Sequence, residues 1–187
     1  PKSNLLNTDD LDSWGRVKDR VWALCKKTAD SGGRILIDAE ESWMQGAIDH
    51  LAESAMEEFN RETPVVFTTA QMYRHDRLAY LQGLISRAEA SGYIVGVKLV
   101  RGAYMEKERR RAESQGLASP IQPDKAATDR DFNAAWRYCI DRLDRVHLVL
   151  GTHNEESTRA LCLALDAMGI ERNDSRITHA QLLGMSD

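Results

Sequence analysis

Five short apolar stretches of this chain run out into residues able to do chemistry. Residues 34–38 end at Asp38, followed by Ala39, Glu40 and Glu41. Residues 64–69 end in Thr68 and Thr69, with Ala70 and Gln71 behind them. Residues 93–100 carry Lys98 and lead into Arg101, Gly102, Ala103 and Tyr104. Residues 146–151 lead into Thr152, His153 and Asn154, and a weaker stretch, 176–182, ends with Gln181 and Leu182. A lysine inside an apolar strand is costly unless it is paired or aimed at a site. Lys98, among Val97, Leu99 and Val100, is therefore the strongest single hint that physics alone supplies. Gathered at one mouth, the cations Lys98 and Arg101, the carboxylate Asp38, the amide and hydroxyls of Gln71, Thr68 and Thr152, and the Tyr104 ring would suit an anionic cofactor or substrate. They do not choose a reaction.

Each of these residues also has a plainer reading. Asp38 can cap the helix after it, and Asn154, ahead of Glu155 and Glu156, is placed as an N-cap. His147, inside an apolar strand, reads as a satisfied core or wall residue. His153 with Asp38 and Glu40 could make a His-plus-carboxylate metal site, although no HxH or HExxH spacing supports it. The charged run 106–111 reads as a solvated helical face. Met44, Met56 and Met72 read as core, as do Cys25, Cys139 and Cys162.

Helical periodicity predicts the elements that position these residues. Helices are expected at 9–29 (apolar at Val17, Val21, Leu24 and Cys25), 41–60 (Met44, Ile48, Leu51 and Met56 inward), 77–90, 104–114, 129–143 and 155–168. Residues 118–123, ASPIQP, read as a loop. Strands alternating with helices argue for an α/β fold with a parallel sheet, either an open doubly wound sheet or a (β/α)8 TIM-type barrel. Neither GxGxxG nor GxxxxGK[ST] is present, so the two best-known phosphate loops are absent.

Length and composition set the outer bounds. The chain has 187 residues, 42% of them hydrophobic, enough for one domain with a core of its own. Its formal net charge of −4 gives no general attraction to nucleic acid. No apolar run approaches the roughly 20 residues that span a bilayer, and none reads as a signal peptide. Three widely spaced cysteines fit neither a disulfide framework nor a zinc site. The chain starts at Pro1 and stops soon after an apolar segment, which suggests a piece of a longer protein.

DAEE at 38–41, KLVRGAY at 98–104 and GTHN at 151–154, with QMYR at 71–74 and QLLGM at 181–185, resemble the proline dehydrogenase family in order and spacing. The wording of KLVRGAY is closer to the monofunctional or mitochondrial-like members than to the long bifunctional ones. The resemblance covers the chain from about Ile35 onward. It implies a distorted (β/α)8 barrel, incomplete here, of which the five strands are the third to the seventh, with residues 1–187 a single partial domain. It implies oxidation of L-proline to 1-pyrroline-5-carboxylate, hydride passing from proline C5 to N5 of FAD. Electrons would go on to a quinone, and a pyrroline-5-carboxylate dehydrogenase would act downstream. A cytoplasmic, peripheral inner-membrane or mitochondrial location would follow.

By the same resemblance, Asp38, Lys98 and Tyr104 carry the catalytic roles, and Asp38, Tyr104 and Leu182 contact substrate. The cofactor lies along Thr68, Lys98, Val100, Arg101, Gly102 and Ala103, with Thr152, His153, Asn154 and Lys125 toward its ribityl, phosphate and adenosine parts. Lys125 is placed in the loop before the fifth helix. Gly102 would let the backbone approach the cofactor. Much of the family has an amide and a tyrosine where this chain has Thr68 and Ala70, so an altered or non-catalytic site is the second reading and a metal-dependent hydrolase the third. The family's carboxylate-clamping arginines and early-strand lysine lie outside these residues, and the 187 residues alone are expected not to turn over proline.

Overall fold

The computed structural model describes residues 8–185. Its elements run α1 (Thr8–Asp30), β1 (Ile35–Leu36), α2 (Ser42–Phe59), β2 (Val66–Gln71), α3 (Arg77–Ser91), β3 (Val95–Val100), α4 (Met105–Gln115), α5 (Lys125–Ile140), β4 (Val146–Gly151), α6 (Glu155–Ala167) and β5 (Ile177–Ala180). All neighbouring strands pair in parallel, in the order β1-β2-β3-β4-β5. Such a sheet needs a crossover at each step, which the helices provide. The result is a curled half-barrel of the α/β class.

Register sorts the sheet into two faces, because side chains alternate along a strand. Thr68, Val97, Leu148 and Ile177 form one row across four strands. This row faces the helices. Val95, Val97, Leu99, Val146, Leu148 and Leu150 are buried in one core with Leu81, Leu84 and Ile85 of α3, Phe132 and Trp136 of α5, and Leu161 of α6. The neighbouring row, Thr69, Lys98, Val149 and Thr178, occupies the inner face. Gly96 belongs to that face, and a Cβ there would meet the Phe67 ring at 2.7 Å. The missing side chain is what lets Phe67 lie flat across β3.

A polar residue ties the opposite, N-terminal end of the sheet together. Asn60, the fully buried C-cap of α2, donates its Nδ2 to the carbonyls of Val66 (2.8 Å) and Ile94 (2.9 Å). Its Oδ1 accepts from the N–H groups of Val65 and Val66. One carboxamide thus uses all four of its hydrogen-bonding capacities to align β2 with β3.

Several expectations need correcting. In α1, Cys25 is buried but Leu24 is 55% exposed, and in α2 Met44 is 52% exposed. The buried line of α2 runs instead through Gln45, Asp49, Ala52 and Met56. Cys162 is only partly buried. The run 106–111 is not all solvated, since Glu108 is 1% exposed. Residues 125–128, expected before the fifth helix, are its first turn, capped by Asp124 through the Ala127 N–H.

Candidate active site

The strands end together on one side, and there the inner face carries an ion pair. Lys98 Nζ bonds to Asp38 across the top of β2, over Thr69, whose hydroxyl donates to the Ile37 carbonyl at 2.9 Å. Strand alternation sends Lys98 to this face, and register sets it beside Thr69. The pair is lopsided: the Lys98 side chain is 19% exposed and that of Asp38 70%. The cation is held by the sheet while the carboxylate faces outward, open to a second partner. Asp38 is not the cap of α2, whose N-cap is Glu41.

The segment that carries Asp38 is fastened along its length. The Ile37 N–H donates to the Phe67 carbonyl and the Glu40 N–H to Gln45 Oε1, each at 2.8 Å. Glu41 pairs with Lys107. The N–H and hydroxyl of Ser42 donate to buried Glu108 of α4 at 2.6 and 2.7 Å. That carboxylate from another helix satisfies and charge-complements the first turn of α2, which lacks a cap bond of its own.

Tyr104 stands at the N-cap of α4. The Glu40 carboxylate favours the protonated phenol and raises its pKa above the ordinary tyrosine value, with a smaller contribution from burial. Just before it the chain turns at Gly102, φ +136°. A Cβ there would sit 2.4 Å from the Tyr73 ring, so the glycine serves an approach by Tyr73. Burial, followed by the charge of Glu108, pushes the Tyr73 phenol up to about 12.

Arg101 is bonded through all three of its nitrogens. Its guanidinium donates to Asp129 (2.7 Å), the Thr152 hydroxyl (2.7 Å) and the Ser157 hydroxyl (3.0 Å), and lies 4.2 Å from the Phe132 ring centroid. Asp129 also receives Lys125 at 2.5 Å. Burial works to raise the Asp129 carboxyl, but the hydrogen bonds from Lys125 and Arg101 outweigh it and hold it low. Asn154 caps α6 by accepting the Ser157 N–H at 2.9 Å, as its sequence context predicts.

His153 joins the last two strand ends. Its Nε2 accepts the Leu182 N–H at 3.0 Å, so the ring proton belongs on Nδ1. That Nδ1 is buried and without a partner among the described residues, as is Oε1 of Gln71.

The structure therefore brings together Asp38, Lys98 and Tyr104 around the 38–41 segment, and Arg101, Lys125, Thr152, His153 and Asn154 around the β3 and β4 ends. Val100, half-buried, lies on the inner face between the groups, and Ala103 is exposed in the turn. Leu182 is held by its main chain, with its side chain exposed. Thr68 does not join them. It is fully buried on the helix-facing side, in register with Val97. Ala70 shares that side, so residues 68 and 70 belong to the core packing and not to the inner face. Of the trio Asp38, Glu40 and His153, the alternative for a metal, Asp38 is paired with Lys98 and His153 bonds to the Leu182 N–H. Among the described residues no group of three or more His, Cys, Asp or Glu could hold a metal ion. Sequence reading passed over Gln45, Asp49, Arg77 and Glu108. The signal for the first two was a polar i, i+4 pair on the line that leads to Ala52 and Met56.

The family model for proline dehydrogenase matches residues 3–187. The mitochondrial proline dehydrogenase 1 of Homo sapiens is 33% identical over 175 residues, 92% of this chain and 29% of that protein. The carbapenem antibiotics biosynthesis protein CarD of Pectobacterium carotovorum is 36% identical over 182 residues, 97% of this chain and 46% of that one. The chain thus spans less than half the length of these relatives. Proline utilization A from Bdellovibrio bacteriovorus, in a crystal structure of the form inactivated by N-propargylglycine, shares the fold with a TM-score of 0.86. That likeness, at 21% identity, covers 94% of this chain and 18% of the other. On the extent of the family match, together with a half-barrel whose strand ends carry the quoted motifs, this chain belongs to the proline dehydrogenase family.

Proposed function

We propose that this chain is part of a single barrel domain that oxidises L-proline to 1-pyrroline-5-carboxylate with FAD, passing electrons to a quinone and product to a pyrroline-5-carboxylate dehydrogenase. The observation that carries the reading is the Lys98–Asp38 pair on the inner face, with an outward carboxylate. Asp38 would orient the substrate's ammonium, and Lys98 would set a fixed positive charge where negative charge develops. Tyr104, with its phenol kept protonated by Glu40, would wall the same pocket beside Leu182.

The residues present fit a flavin dinucleotide. The His153 Nδ1–H is a buried donor still to be used, Gln71 offers a buried acceptor, and Lys98 is a cation on an otherwise apolar wall. Lys98, the 100–103 turn, Thr152, His153 and Asn154 would hold the cofactor, with Lys125 nearest its adenosine end. Bound FAD would supply the two-electron acceptor. Arg101, with three polar partners and a ring contact, would act mainly by fixing the wall.

No helix among the described residues is long and apolar enough to cross a membrane. A relative from Xenopus laevis, 33% identical over 172 residues, is a hydroxyproline dehydrogenase. The test is therefore made with the full-length protein under anaerobic conditions, using L-proline and trans-4-hydroxy-L-proline in turn. A flavin spectrum that bleaches with L-proline supports the reading. Bleaching with hydroxyproline alone changes the substrate, and a colourless protein overturns the cofactor.

A further inference from the structure

Gln45 is buried, 1% exposed, on a helix line where an apolar residue would pack more cheaply. Its orientation is dictated from below. The Asp49 carboxylate receives Arg77 through two hydrogen bonds, 2.8 and 2.9 Å, and Arg77 lies 3.7 Å from the Tyr80 ring centroid. The two side chains are only 10% and 4% exposed. Asp49 Oδ1 can accept but not donate, so it takes the Gln45 Nε2–H at 2.8 Å and turns Oε1 the other way. That oxygen accepts the Glu40 N–H at 2.8 Å. Among the described residues this is the one hydrogen bond made by the main chain of 38–40.

We propose that Gln45 is a positioning residue: its carboxamide, held by the buried Asp49–Arg77 pair, sets where the 38–41 segment stands over the inner face, and with it Asp38 and Glu40. A capping role does not account for this geometry. The first turn of α2 is already served by Glu108 through Ser42, and Gln45 bonds to a residue ahead of the helix. A buried ion pair is a poor way to gain stability and a good way to fix a direction. The proposal names the regulation of position at the site described above, and in its kinetic part it rests on the proline-oxidising reading.

Two variants of the full-length protein test it. Gln45→Leu removes both hydrogen bonds. It should lower kcat roughly 10- to 100-fold, the cost of misplacing reacting groups by about an ångström, with flavin content retained. Gln45→Glu keeps the acceptor for Glu40 but sets two carboxyls side by side, which share a proton. The hydrogen-bond chain then survives only while the introduced carboxyl is protonated, so kcat should gain a new ionisation and fall as pH rises through it. A readout independent of turnover is the ultraviolet titration of Tyr104, taken as the difference from Tyr104→Phe. Its raised pKa should return toward the ordinary tyrosine value in Gln45→Leu as Glu40 moves away.

A lowered unfolding temperature with kcat, its pH profile and the Tyr104 titration all unchanged would overturn the proposal and leave Gln45 a packing residue. If the wild type fails to oxidise proline, the functional reading falls. The Tyr104 titration then decides the positioning claim alone, a shift supporting it and no shift overturning it.

Discussion

Lys98 and Arg101 lie three residues apart at the end of one strand, and the protein uses them in opposite ways. Lys98 has a single carboxylate partner, Asp38, whose side chain is mostly in solvent. Arg101 donates to Asp129, Thr152 and Ser157 and has its guanidinium over the Phe132 ring. The planar fork of a guanidinium can join three elements at once, whereas an ammonium acts as a point charge. The cation with spare capacity is the one that can meet a ligand. The cation with three partners holds α5 and the β4 end against β3. Motif position does not distinguish the two, and partner count does.

The sharpest way to break this comparison is to replace each residue by methionine in the full-length protein. Lys98→Met should reduce proline-dependent flavin reduction by about 100- to 1,000-fold, the usual cost of a lost electrostatic group at a reacting centre. Its unfolding temperature should stay near wild type, since Asp38 is exposed enough to be resolvated. A large fall in stability with activity preserved would reverse the assignment.

Arg101→Met should do the converse. It strips a partner from Asp129, Thr152 and Ser157 together and should cost about 2–4 kcal/mol of stability, measured by denaturant unfolding. Arg101→Lys should recover little of it, because one ammonium cannot reach all three acceptors in the same geometry. A neutral Arg101→Met would show that Lys125 alone suffices for Asp129.

The turn between the two cations gives a smaller effect. Gly102→Ala places a methyl 2.4 Å from the Tyr73 ring at a φ of +136°, so both the backbone and the ring must yield. A loss of about 1–3 kcal/mol is expected. Tyr73→Ala should relieve part of it, and a double-mutant cycle would give the coupling. If the loss is the same in both backgrounds, the strain is in the backbone alone.

The architecture was legible because strands of a parallel sheet read as short apolar runs bounded by charge. The five strands and the intervening helices appear in the expected order. The errors arise where polar residues sit in buried positions. Gln45 and Asp49 break the apolar stripe of α2, so the inward line was displaced onto Met44, which solvent reaches. Thr68 and Thr69 are adjacent hydroxyls, and only register decides which meets Asp38. It is Thr69, through the pairing with Lys98. Lys98 itself was legible as a lysine set inside an apolar strand, whereas the partners of Arg101 were not. Asp129 and Ser157 come from 28 and 56 residues away, and no local pattern marks them.

The same partner rule can be tried at the other end of the sheet, where the effect should be smallest. His147, the second residue of β4, lies on the inner face opposite Gly96 with its Nδ1 buried and unpartnered among the described residues. Burial lowers its pKa first, and the cations Arg34 and Arg176 add to the shift against the opposing charge of Asp174. The folded state thus prefers the neutral ring, and the unfolded chain takes up the proton first as pH falls. Stability contributed by His147 is full above the ordinary histidine pKa of about 6.5 and is lost as pH drops through the folded value. His147→Leu should flatten the fall in unfolding temperature below about pH 6.5. His179, also lowered by burial, keeps part of the slope in both proteins, so the difference between them isolates His147. Equal slopes would mean that the His147 ring takes up its proton as readily in the folded chain as in the unfolded one, and would overturn the burial argument at this end of the sheet.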